Sequence, residues 1–182
     1  MNTFGLHTIH GRAIPFATGL KLTNPKLNIW VITGDGDSLS IGGNHLLHGL
    51  RRNLKINIIM FNNRIYGLTK GQYSPTSLKG KITKSSPYGS IDNHINVSST
   101  VIGMGSTFYA RTSDSNVSHM TNILKEAYFH NGTSFVEIFQ NCVVFNNKEF
   151  FNYKGKEIFL ENGKKMLFND NSKGISFNPN SY

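Results

Sequence analysis

Two short apolar runs, each ended by turn residues, constrain this chain more than any other feature. Asn28 to Thr33 (NIWVIT) stops at Gly34-Asp35-Gly36-Asp37, and Ile56 to Phe61 (INIIMF) stops at Asn62-Asn63. Apolar, β-branched residues at consecutive positions are the pattern of a strand buried on both faces. Between the runs, residues 40–52 set Ile41, Leu46, Leu47 and Leu50 on one side of a helix. Arg51-Arg52 fall in its last turn, where cations complement the helix dipole. Strand, helix and strand within about 35 residues make a βαβ unit with parallel strands.

The same reading extends along the chain. Residues 11–24 carry an apolar stripe near helical spacing, and Pro25 marks their end. Residues 64–95, rich in Gly, Ser, Pro, Lys and Thr, read as a long loop, and loops of that length in a domain are usually functional or disordered. An apolar segment at 97–104, a strand at 107–111, a helix at 116–130 and a strand at 134–140 follow, leading into Asn141-Cys142. The expected class is α/β, a mostly parallel sheet with helices on both faces. Residues 1–142 form the α/β domain, and the polar residues 143–182 an irregular C-terminal arm that packs on the domain or on a partner.

Composition removes several alternatives. One cysteine in 182 residues excludes an internal disulfide framework and an all-cysteine metal site built from this chain alone. No apolar run approaches the roughly 18 residues of a membrane span. The start, MNTFG, lacks a basic-then-apolar signal pattern, so a cytoplasmic location is expected. The net charge of +9 invites a nucleic-acid reading. However, 14 of the 19 cations are Lys, and 22 Asn stand against 4 Ala, so A/T-rich coding accounts for part of the excess and no nucleic-acid partner is expected.

In a parallel α/β sheet, ligands bind beyond the carboxyl ends of the strands. The Gly34–Asp37 turn and Asn62-Asn63 both fall at that edge, so a carboxylate and a carboxamide converge there. Their oxygens suit a hard cation such as Mg²⁺, completed by water and phosphate oxygens. The glycines let backbone approach a ligand, and a helix starting near Ser40 aims amide groups at an anion. A DG turn or an NN pair alone is ordinary; the pair on adjacent strands is more specific. Neither the G-x-G-x-x-G order nor a G-K-[ST] phosphate loop is present. The expectation is a metal-bound phosphate or diphosphate.

These residues also carry a family resemblance. The GDG-then-NN pair resembles the thiamine-diphosphate binding motif. The strings GDGDSLSIGGNHLLHGLRRN (34–53) and INIIMFNNRIYGLTKGQYSPTS (56–77) resemble the β subunit of 2-oxoacid:ferredoxin oxidoreductases, most of all the 2-oxoglutarate-type branch. HTIHGRAIPFATGLKLTNP (7–25) and FQNCVVFN (139–146) belong to the same pattern, and the resemblance runs from about residue 4 to about 176.

The resemblance implies that Asp35, Asn63 and the Ile65 carbonyl bind Mg²⁺. By the same likeness His10, Gly34, Gly36, Asp37, Gly67 and Leu68 contact thiamine diphosphate. Lys70 either meets a substrate carboxylate or is a solvated loop lysine, while His45 and His48 read as structural or surface residues. Cys142 is similar to a ligand of a [4Fe–4S] cluster, which takes four thiolates. The family's other cysteines lie in a preceding segment with a Cys-Pro-x-Cys-Gly motif, which this chain is expected to lack. The implied reaction is oxidative decarboxylation of a 2-oxoacid with coenzyme A, passing electrons to ferredoxin. An α subunit supplies the carboxylate that activates the cofactor. Glu126, Glu137, Glu149, Glu157 and Glu161 read as remote from the site edge. The alternative is a non-catalytic relic that docks a partner or binds an anion.

Overall fold

The computed structural model describes residues 3–153, 156, 158, 164–168 and 171–175. Helix α1 (Ala13–Thr23) carries Pro15 in its first turn, where a missing N–H costs no intrahelical bond. Pro25 disfavours helical geometry at Asn24, and the helix stops there. Lys21, itself buried, then donates from Nζ to the carbonyls of Pro25 and Leu27, each at 2.7 Å. Those bonds secure the turn that leads into β1 (Trp30–Gly34).

After β1 come a π-helical turn (Asp37–Ile41), α2 (Gly43–Arg52) and β2 (Asn57–Asn62). The long loop leads to α3 (Val97–Gly103), β3 (Phe108–Ser113), α4 (Val117–Phe129) and β4 (Ser134–Phe139). The four strands form one parallel sheet in the order β1-β2-β4-β3. Gly34 lies opposite Phe61, and Asn62 opposite Phe139, so these strands end at one edge.

The chain moves across the sheet in one direction until β3 and then steps back to β4. Right-handed crossovers therefore send α2 and α3 to one face and α4 to the other. The two cores follow that division. Ile14, Ala17, Leu46, Leu50, Val97 and Val101 pack on Val31, Ile58, Met60 and Phe135. On the opposite face Ala127, with Met120, Ile123 and Leu124, covers Ile59, Val136 and Ile138. The α/β architecture with helices on both faces is as expected.

One local feature differs from the sequence reading, and two fill in what it left open. The helix expected to start near Ser40 begins as the π-helical turn at Asp37, closed by Gly42 N–H to the Asp37 carbonyl at 2.9 Å. Gly42 is needed there, since a Cβ would lie 2.5 Å from that carbonyl and 3.1 Å from the Gly11 Cα. The 97–104 segment is a helix, capped by the Asn96 side chain, which accepts from Ser99 N–H at 3.2 Å. The 64–95 loop is held by its own hydrogen bonds, among them Gly80 N–H to Ser90 at 2.8 Å and Ile95 N–H to Pro75 at 2.8 Å.

A first compact unit runs through Glu149, and a second comprises residues 150–182. Within the second, β5 (Met166–Phe168) and β6 (Lys173–Ile175) pair antiparallel. Of the expected arm, residues 154, 155, 157, 159–163, 169, 170 and 176–182 lie outside the described residues.

Candidate functional site

The carboxyl edge of β1 and β2 gathers the polar residues the sequence pointed to. Asp35 leaves β1 directly into the sheet edge and is 3% exposed. Its Oδ2 accepts from Ser74 Oγ at 2.6 Å and from Thr76 Oγ1 at 2.5 Å. Burial pushes its carboxyl above the ordinary value, and these hydroxyls offset that only in part. No ion pair among the described residues includes Asp35. A buried carboxylate without a cationic side chain is an arrangement that a bound cation would compensate.

The loop after β2 is built for close approach. Asn63 Oδ1 accepts from Ile65 N–H at 3.2 Å, and Arg64 between them is left-handed at φ 57°. Ser77 Oγ donates to the Arg64 carbonyl at 2.6 Å. No described residue donates to the Ile65 carbonyl. No group of three or more His, Cys, Asp or Glu gathers among the described residues. A cation here would therefore use one carboxylate with amide and carbonyl oxygens, a set suited to Mg²⁺ when phosphate completes the shell.

Open space adjoins this edge. A Cβ built on Gly34 or Gly67 meets nothing within 4 Å. Gly36 differs: its Cβ would fall 2.1 Å from the Tyr66 ring, whose hydroxyl donates to the Gly36 carbonyl at 3.3 Å. Two of the expected cofactor contacts, His10 and Asp37, meet each other, His10 Nδ1 lying 3.0 Å from Asp37 Oδ1. Gly11 N–H and Thr33 Oγ1 also donate to Asp37, at 2.7 and 2.6 Å. Burial alone raises the Asp37 carboxyl, but the bonds from Thr33, Gly11 and His10 outweigh it and hold it below its ordinary value.

Leu68 and Lys70 stand exposed on a tight turn closed by Tyr66 N–H to Gln72 at 2.9 Å, and Lys70 is left-handed at φ 73°. Cys142 is a half-buried free thiol opening a turn closed by Asn146 N–H to the Cys142 carbonyl at 3.0 Å. Asn146, four residues on, reaches back to the loop after β2. His45 and His48 both lie on α2.

Several participants escaped the sequence reading. Glu137 and Glu149, read as remote from the site edge, both reach it. Glu137 is fully buried in β4 and accepts from Asn62, itself bonded to Thr76. Glu149 accepts from Arg64 at 3.3 Å and Lys81 at 3.1 Å. The available signal was an acidic residue inside the continuous strand run SFVEIF, since a charge buried there has to be paired. Ser74 and Thr76 left no such trace, because hydroxyl residues are ordinary in a loop.

A family model described as thiamine pyrophosphate enzyme, C-terminal TPP binding domain, matches residues 1–138. The chain belongs to the thiamine pyrophosphate enzymes and carries their C-terminal cofactor-binding domain. Within that class it is similar to the 2-oxoglutarate oxidoreductase subunit KorB of Mycobacterium tuberculosis, with 55% identity over 150 residues, 82% of this chain and 40% of that protein. It is 46% identical over 137 residues to the 2-oxoglutarate synthase subunit KorB of Methanothermobacter marburgensis, covering 75% of this chain and 48% of that one. Among solved structures, the 2-oxoglutarate:ferredoxin oxidoreductase from Magnetococcus marinus, with 2-oxoglutarate, coenzyme A and succinyl-CoA bound, superposes at a TM-score of 0.85. That match has 35% identity and covers 90% of this chain and 57% of that one. The chain spans about half the length of the curated relatives it matches. No helix among the described residues is long and apolar enough to cross a membrane.

Proposed function

We propose that this chain is the thiamine-diphosphate-binding β-subunit core of a 2-oxoacid:ferredoxin oxidoreductase acting on 2-oxoglutarate. The reaction converts the 2-oxoacid and coenzyme A to acyl-CoA and carbon dioxide, with the electron pair passing to ferredoxin. The observation that carries the reading is the likeness, at 35% identity over 90% of the chain, to an oxidoreductase holding 2-oxoglutarate and both forms of coenzyme A.

When bound, thiamine diphosphate supplies the electron sink for decarboxylation. The chain's own residues bind and orient it. Asp35, Asn63 and the Ile65 carbonyl hold Mg²⁺, which neutralises the diphosphate. Gly34 and Gly67 keep side chains out of its path and Gly36, packed on the Tyr66 ring, offers it backbone, while His10, Asp37 and Leu68 line it. Lys70 meets the distal carboxylate of the substrate. Cys142 gives one thiolate to a [4Fe–4S] cluster, and the other three come from outside these 182 residues. An α subunit completes the site, in a complex that works in the cytoplasm. The test is an assay of the purified complex for acyl-CoA formed from 2-oxoglutarate with ferredoxin as acceptor. Product that requires thiamine diphosphate, Mg²⁺ and this chain supports the reading; none from any 2-oxoacid overturns it.

A further inference from the structure

We propose that Glu137, acting through Asn62 and Thr76, is a positioning residue that fixes how Asp35 is presented to the metal. The inference rests on the reading of Asp35 as a Mg²⁺ ligand.

The four residues form one buried path across the sheet. Asn62 Nδ2 donates to Glu137 Oε1 at 2.7 Å, Thr76 Oγ1 lies 2.9 Å from Asn62 Oδ1, and the same hydroxyl lies 2.5 Å from Asp35 Oδ2. All four are at most 3% exposed. Glu137 is anchored from the other side by Tyr109 OH at 2.5 Å and Arg111 Nε at 2.7 Å, both reaching Oε2. The path thus links β3, β4 and β2 to the end of β1.

Donor chemistry gives the path a direction. With Oε2 taken by the Tyr109 and Arg111 donors, Glu137 offers Oε1 as an acceptor, and the Asn62 amide faces it with Nδ2. Asn62 Oδ1 must then face Thr76 and the Arg64 N–H, 3.3 Å away. The single Thr76 hydroxyl proton is shared between Asp35 Oδ2 and Asn62 Oδ1, so the atom that Asn62 turns toward Thr76 sets how that proton is divided. Ser74 donates separately to Asp35 Oδ2. Oδ2 is therefore held by hydroxyls, which fixes the plane in which the carboxylate offers its oxygens. A glutamine at 137 keeps its oxygen on the Arg111 and Tyr109 donors and turns its N–H groups to Asn62, so Asn62 has to flip and its oxygen leaves the Arg64 N–H and Thr76. Residues that orient metal ligands in this way typically contribute 10–100-fold to metal affinity.

The experiment measures thiamine diphosphate binding to the assembled complex against Mg²⁺ concentration by calorimetry, with thermal melting of every variant. Thr76→Val and Glu137→Gln are each expected to raise the Mg²⁺ half-saturation about 10–100-fold. Thr76→Ser, which keeps the hydroxyl, restores the wild-type value. The double variant is expected to be no weaker than the weaker single one, because both break one path. Fully multiplicative effects, or an unchanged Mg²⁺ requirement in Glu137→Gln, would overturn the path while leaving the metal site standing. If Glu137→Gln does not assemble, Asn62→Ser takes its place in the same cycle with the same two outcomes. An unchanged Mg²⁺ requirement in Asp35→Ala would instead remove the reading on which the path rests.

Discussion

The side-chain amide of Asn146 donates to the backbone carbonyl of Asn63 at 2.9 Å. It also reaches the Arg64 carbonyl at 3.4 Å, while its oxygen takes a bond from Lys81 Nζ. Asn63 Nδ2 donates to Gln140 at 3.4 Å. The proposed metal loop and the turn that begins at Cys142 are therefore one hydrogen-bonded body. Asn146→Asp keeps the acceptor and loses the donor. It is expected to weaken Mg²⁺-dependent thiamine diphosphate binding several-fold and to lower stability by about 1 kcal/mol, since a part-buried carbonyl loses its partner. Calorimetry and thermal melting of the variant measure the two effects.

Asp35 sets binding against stability. Its folded carboxyl titrates above the ordinary 3.8, so at pH values between 3.8 and that raised value the cofactor-free folded state holds a proton that the unfolded chain has released. Stability from this group therefore falls as pH rises from 3.8 through the raised value. Asp35→Asn is expected to melt higher than wild type at neutral pH, by about 2–4 °C for each kcal/mol of burial cost removed. The gap should close as pH falls toward 3.8. Melting curves without Mg²⁺ across that range measure it. Mg²⁺ affinity runs the other way, falling in wild type as protons compete for the carboxylate.

Gly36→Ala tests the packing between the two loops. The new Cβ would lie 2.1 Å from the Tyr66 ring, so Tyr66 has to move, together with Ile65 and Gly67 beside it. A loss of about 1–3 kcal/mol is expected from overpacking. Adding Tyr66→Ala should recover part of that loss. The melting temperatures of the single and double variants decide it.

How much of this was legible in the sequence depends on where the determining contacts lie. NIWVIT and INIIMF announce buried strands by local composition, and Pro25 announces a helix end. The πturn at Asp37 does not announce itself, because Gly42 is set by the approach of Gly11 from 31 positions earlier. The GDG and NN turns are readable as a site because each directly follows its strand. Ser74 and Thr76 lie 39 and 41 residues from Asp35, and nothing local marks a loop hydroxyl as the partner of a distant carboxylate. The place of Glu137 late in the chain does not report its distance from the site edge. The neighbour relation of β2 and β4 brings it 2.7 Å from Asn62.

Lys70 pays for its place with a left-handed backbone at φ 73°, a conformation costing about 1–2 kcal/mol in a residue with a Cβ. Lys70→Gly is expected to be as stable as wild type or more so, while its KM for 2-oxoglutarate rises about 10–100-fold, the loss of one charge-assisted bond. kcat should change less. Steady-state kinetics of the complex, set beside its melting temperature, measure both.

In the proposed site Asp35 holds the Mg²⁺ that binds thiamine diphosphate to this chain. Calorimetric titration of thiamine diphosphate into the assembled complex, with and without Mg²⁺, tests it most directly when wild type is compared with Asp35→Ala. Tight, Mg²⁺-dependent binding is expected in wild type, and weak binding indifferent to Mg²⁺ in a folded Asp35→Ala complex. Equal Mg²⁺-dependent binding by both proteins would contradict it.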